Sequence, residues 1–160
     1  MDEKLLSQLN PIFREIGIVV QSSQQMEFAI RLSLTMLENL NAIKFSDEDV
    51  KASMHLFSRK TLGMLIGEYK KQNDLDDKAI DALQLSLEER NFIVHRFFNE
   101  ESGNMITKKG RAKALARIQQ ARTNIHPGYK VLDQMLLNLM AKLDIDTKKL
   151  SEETILKIEI

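Results

Sequence analysis

Glu89-Arg90-Asn91-Phe92-Ile93-Val94-His95-Arg96-Phe97-Phe98 is the stretch on which the fold turns. At about 100° per residue, measured from Leu83, the apolar positions Leu83, Leu87, Val94, Phe97 and Phe98 fall within about 60° of one line. That spacing predicts an amphipathic helix with its stripe toward a core. Arg90 falls at about −20° on the same wheel, inside the stripe. Asn91 at about 80° and His95 at about 120° flank it, on a line shared with Gln84, Glu88 and Asn99. Leu85 and Phe92 sit opposite the stripe, which predicts contact on two sides of the helix, one of them with a second copy of the chain. A buried cation costs free energy unless something pairs with it. Position 90 therefore predicts a structural ion pair, with Glu88 or Glu68 as partner, or a site.

The flanking segments repeat the helical pattern. A first helix is expected from about Glu3 to Asn41, irregular near Asn10-Pro11 or Gly17, with Met26, Ala29, Ile30, Leu34, Leu37 and Leu40 at helical spacing. Ser46-Asp47-Glu48-Asp49 reads as the capped start of a second helix through Val50, Met54, Phe57, Leu62, Leu65 and Ile66, ending at Lys70-Lys71-Gln72-Asn73. Asp74, Asp76 and Asp77 open the third helix, which reaches Phe98, and Gly103 marks a polar turn. Thr107 or Gly110 starts a fourth helix through Leu115, Ile118 and Ile125, and His126-Pro127-Gly128 is expected to interrupt it. Val131 to Leu143 forms a fifth helix or continues the fourth after a bend. The expectation is one all-α domain over residues 1–143, an antiparallel bundle of four or five helices, and a tail over residues 144–160 that is a short strand or a frayed helix.

Composition bounds the chemistry. The 160 residues are 43% hydrophobic and 29% charged, as in a soluble globular domain, and six Gly with two Pro are too few for a turn-rich β fold. Cys is absent, so thiol catalysis, disulfides and Cys-based zinc sites are excluded. The apolar runs are far short of a membrane span, the longest being Ile16-Gly17-Ile18-Val19-Val20, and Met1-Asp2-Glu3-Lys4 is unlike a secretory signal. Both point to a cytoplasmic protein with no membrane partner. The zero net charge hides a segregation: residues 102–132 carry seven basic side chains and no acidic one. Such an island attracts phosphates, or is simply a solvated helix face. Within it Lys109, Lys113 and Arg117 recur every four residues, in line with Gln120 and Asn124, as a stripe able to track a phosphate backbone. No aromatic side chain for base stacking lies in residues 102–128. His55 reads as a packing or boundary residue and His126 as part of a turn. No His, Asp and Glu grouping has metal-ligand spacing, and no cofactor motif is present.

Arg90-Asn91, three further residues and then His95 resemble the Arg-x4-to-6-His signature of HEPN domains, in which a polar residue often follows the Arg. The resemblance implies an all-α bundle whose motif helix lies near a homodimer interface. It also implies a metal-independent endoribonuclease of the kind found as toxins, restrained by an antitoxin or other regulatory protein, and in other defence systems. Some members are non-catalytic modules that bind a nucleotide, RNA or a partner protein. HEPN toxins paired with nucleotidyltransferase antitoxins often carry a Tyr two residues after the His; Phe97 stands there, which removes that modification site.

The residue types suit RNA cleavage by the 2′-OH. An imidazole exchanges protons near neutral pH, so His95 is a candidate acid or base. Arg90 offers forked donors to a phosphate that gains charge. Asn91 is expected to orient His95, four residues on, or to bind a phosphate oxygen. One chain supplies one such His, and a two-fold dimer supplies two. The competing expectation is a helical interaction protein in which Arg90 is an ion-pair residue and His95 is incidental.

Overall fold

The computed structural model describes residues 3–39 and 47–143, and every regular element among them is helical. These are α1 (Glu3–Asn39), α2 (Asp47–Ser58), α3 (Leu62–Gln72), α4 (Asp77–Asn91), a π turn (Phe92–Arg96), α5 (Phe97–Glu101), a 3-10 turn (Asn104–Ile106) and α6 (Lys108–Lys142). Since α4, the π turn and α5 form one continuous rod, five helical rods make the bundle. The expected Ser46 cap and the tail from Asp144 lie outside the described residues. No helix is long and apolar enough to cross a membrane.

The helix boundaries follow from side chains that take backbone bonds. Asp76 accepts the Ala79 N–H at 2.7 Å to start α4, and Thr107 accepts the Gly110 N–H at 3.0 Å to start α6. Asn73 closes α3 with backbone and side-chain bonds to the Tyr69 carbonyl. The expected second helix is in fact two. Ser58 donates its hydroxyl to the His55 carbonyl at 2.7 Å, and Thr61 caps a new start by accepting the Met64 N–H. Local side-chain bonds of this kind compete with helix continuation. The corner between them leaves both Phe57 and Leu62 fully buried.

Neither proline breaks its helix. α1 runs through Pro11 and Gly17, and α6 runs through His126-Pro127-Gly128, where an interruption was expected. Pro127 lacks the N–H that would bond the Thr123 carbonyl, but both residues are exposed, so water can take that carbonyl. Ile125, Gly128 and Leu132, on the other face, are buried and hold the helix to its neighbours.

α6 packs against α1 on one side and the α4 rod on the other. It runs parallel to α1, as the pairs Gln8–Arg111 and Glu15–Arg122 require. Both are antiparallel to the α4 rod, as Glu27–Arg90 and Phe13–Phe98 fix for α1. The contact face of α6 is Gly110, Ala114, Ile118, Ala121, Ile125, Gly128 and Leu132, mostly small residues that admit close neighbours. At Gly128 the rods approach too closely for a side chain: an added Cβ would lie 2.9 Å from the Ala82 carbonyl oxygen and collide with the Ser86 hydroxyl. That hydroxyl reaches the Ala82 carbonyl at 2.8 Å and the Ile125 carbonyl at 3.1 Å, tying α4 to α6.

Gly128→Ala should therefore destabilise the fold by about 1–3 kcal/mol through overpacking, despite the better helix propensity of Ala. A thermal melt should show a fall of roughly 2–4 °C for each kcal/mol; an unchanged or raised midpoint would mean that α4 and α6 are not in this contact.

Candidate functional site

Arg90 and Asn91 end α4, and His95 and Arg96 lie in the π turn. In an ordinary α-helix, side chains five residues apart point about 140° away from each other. In a π turn the backbone bonds i to i+5, here from the Phe97 N–H to the Phe92 carbonyl, and such residues come onto one side. Arg90 Nη1 thus lies 3.3 Å from His95 Nε2, and it also donates to Asn91 Oδ1 at 3.0 Å. A guanidinium only donates, so a hydrogen bond here requires Nε2 as the acceptor, which is the tautomer with its proton on Nδ1. Asn91 is bonded to Arg90 instead of to His95 as expected, because the π turn breaks the i, i+4 spacing that the expectation used.

The partner that holds Arg90 comes from α1. Its Nη2 donates to Glu27 Oε1 at 3.2 Å, while Glu27 Oε2 takes Arg31 at 3.3 Å. Neither Glu88 nor Glu68 fills this role: Glu88 is exposed, and Glu68 pairs with Lys60. The Arg90 side chain is 25% exposed, and its Nε is buried without a bond among the described residues. One carboxylate thus stands between two guanidiniums, leaving the cluster positive.

Arg90, Asn91, His95 and Arg96 line a cleft of about 360 Å³, with Leu87 beside them and Thr61, Leu62 and Gly63 of the α3 start as its other wall. A larger groove of about 650 Å³ lies between α1 and α6, but its guanidinium, Arg122, is paired with Glu15. The smaller cleft is where the motif side chains converge. Among the described residues no three His, Asp or Glu side chains gather as metal ligands.

The π turn also rotates the stripe read from the sequence. Leu83, Ile93 and Phe97 are buried together with Ser86 and Glu89, whereas Val94 is 42% and Phe98 47% exposed. Phe92, placed opposite the stripe, is buried as expected of a second contact, but Leu85 is exposed. Phe98 lies against Phe13 of α1, itself exposed, with ring centroids 6.5 Å apart.

The expected basic stripe divides. Lys109 and Lys113 are exposed, whereas Arg117 turns inward. Arg117 Nη2 is 2.8 Å from Glu89 Oε2, a charge contact outside hydrogen-bond geometry, and its guanidinium lies 4.0 Å from the centroid of the Phe92 ring. Asn124 donates to the other Glu89 oxygen at 2.7 Å. Arg117 therefore anchors α6 to the rod carrying the motif, whereas Lys109 and Lys113 face solvent. The sequence signal for this was Glu89 itself, an acid beside the motif that has to find a cation once buried. Arg96, which sequence reading passed over, lies over the other side of the cluster, 5.4 Å from the Phe92 centroid.

No family model, curated protein or solved structure matches this chain.

Glu89→Ala removes the carboxylate shared by the Arg117 guanidinium and the Asn124 amide and should cost about 2–3 kcal/mol, below the range for a fully buried pair because Arg117 is partly solvated. Lys109→Ala and Lys113→Ala should each stay within about 0.5 kcal/mol of the parent. Urea unfolding separates the two classes; equal effects would contradict the inward placement of Arg117.

Proposed function

We propose that this chain is a HEPN-like, metal-independent endoribonuclease, acting as a homodimer in a toxin or defence setting. The observation that carries the reading is the contact of Arg90 with His95 across the π turn, inside an open cleft. The two residues that the resemblance singles out are not merely near in sequence: an energetically unusual backbone turn brings their polar atoms together.

The chemistry follows from the groups. The 2′-OH of RNA attacks the adjacent phosphorus, its proton passes to a base, and the 5′-oxygen leaves with a proton from an acid. The products are a 2′,3′-cyclic phosphate and a 5′-hydroxyl. In a dimer, His95 of one copy takes the 2′ proton as the neutral imidazole, and His95 of the second copy, as the imidazolium, supplies the proton to the 5′-oxygen. Arg90 fixes the imidazole orientation and adds positive charge as the phosphorane forms. Val94 and Phe98, exposed on the motif rod, and Phe13 beside them give an apolar face for the second copy. A two-fold contact there would bring both motif turns close.

The Glu27–Arg90 pair supports a second reading, a non-catalytic module, since it occupies part of the Arg90 fork for structural ends. An RNA cleavage assay separates them. With excess EDTA, the wild type should cut a mixed-sequence RNA to 2′,3′-cyclic ends, and His95→Ala should lose at least about a hundredfold in rate, as for loss of a proton-transfer group, while folding normally. Full activity in His95→Ala would exclude the catalytic role.

The dimer face has its own check. Phe98→Asp should yield a folded monomer by sedimentation and lose cleavage; a variant that stays dimeric would place the interface elsewhere.

A further inference from the structure

Two arginines line the same cleft, and their situations differ. Arg90 is three-quarters buried, and its Nη atoms are committed to Glu27, Asn91 and His95. Arg96 is 59% exposed, and its one ion pair among the described residues is with Glu100 at 3.7 Å, a separation that water screens strongly. The Phe92 ring lies 5.4 Å beneath it, which restricts the side chain without using its donors. An arriving phosphate would have to break the internal bonds of Arg90 but would need to displace only one loose carboxylate from Arg96. The other wall of the cleft is the first turn of α3, whose positive end adds to the attraction.

We propose that Arg96 is the side chain that takes the phosphodiester of the RNA substrate in this cleft, and that Arg90 is a positioning residue acting through His95. The inference rests on the nucleic-acid reading of the cleft and adds a residue outside the Arg-His pair. It also divides labour within one turn of chain. Arg90 sets which imidazole nitrogen carries the proton, and Arg96 sets how strongly the anion is held. Glu100 is then a competitor of the substrate for Arg96.

The test measures binding apart from cleavage. The probe is a 2′-O-methyl oligoribonucleotide, which lacks the attacking hydroxyl, titrated into the full chain at several salt concentrations. Arg96→Ala should weaken binding roughly ten- to hundredfold and reduce the slope of log affinity against log salt by about 0.7. Glu100→Gln should tighten it severalfold. Arg90→Lys should bind within about twofold of wild type yet cleave cleavable RNA poorly. In Arg90→Met, which keeps the stem and lacks the donor, long-range ¹H–¹⁵N spectra should show His95 losing its Nδ1–H preference, a change that a purely structural role would not produce. Unaltered affinity in Arg96→Ala, an equal loss in Arg90→Lys, or no binding by the wild type overturns the assignment. A wild type that binds through Arg96 but never cuts RNA sinks the nuclease reading and leaves the assignment standing.

Discussion

The face of α6 from Gly110 to Leu132 is the constraint on which the structure depends. Small side chains at Gly110, Ala114, Ala121 and Gly128 alternate with Ile118, Ile125 and Leu132, so two other rods can approach closely. Close approach is what lets dispersion and apolar burial act over the length of a helix. It also explains why Pro127 is tolerated. The energy gained by burying Ile125, Gly128 and Leu132 exceeds the cost of one backbone bond lost on the wet side.

From that contact the position of the polar cluster follows. The α4 rod lies on α6 through Leu83 and Ser86, and farther along it must bury Glu89, Phe92, Ile93 and Phe97. On a straight α-helix these positions spread over about 180°, since Phe92 lies nine residues from Leu83. The π turn changes the phase at the point where the demand changes. Its consequence is chemical: His95 moves next to Arg90, and Val94 and Phe98 turn outward.

Electrostatics then tie the turn to the rest of the bundle. Glu27 of α1 holds Arg90 from one side, and Glu89 is held by Arg117 and Asn124 of α6 from the other. The Phe92 ring lies between the guanidiniums of Arg96 and Arg117. Such a network is costly when half made, because each desolvated charge needs its partner. It makes the local geometry sensitive to single substitutions on three different helices. The same network leaves Arg96 and His95 on the open side.

Much of the architecture was determined by sequence alone. Apolar spacing in α1 and α6, the caps Asp76 and Thr107, and the near absence of turn residues give an all-helical bundle with most of its boundaries, because these are local effects of short range. The polar residues Arg90, Asn91 and His95 were legible too, as groups out of place in an apolar helix. Tertiary structure decided the rest. A helical wheel assumes one period, so it put Val94 and Phe98 inside and kept His95 from Arg90; the π turn that reverses both is imposed by packing. Pro127 and Gly128 spell a turn locally, yet packing against α1 and α4 makes them helix and contact point. The partner of Arg90 is 63 residues away on α1, and that of Arg117 is on α4. No spacing rule reaches that far, since pairing at such distance depends on which helices the core brings together.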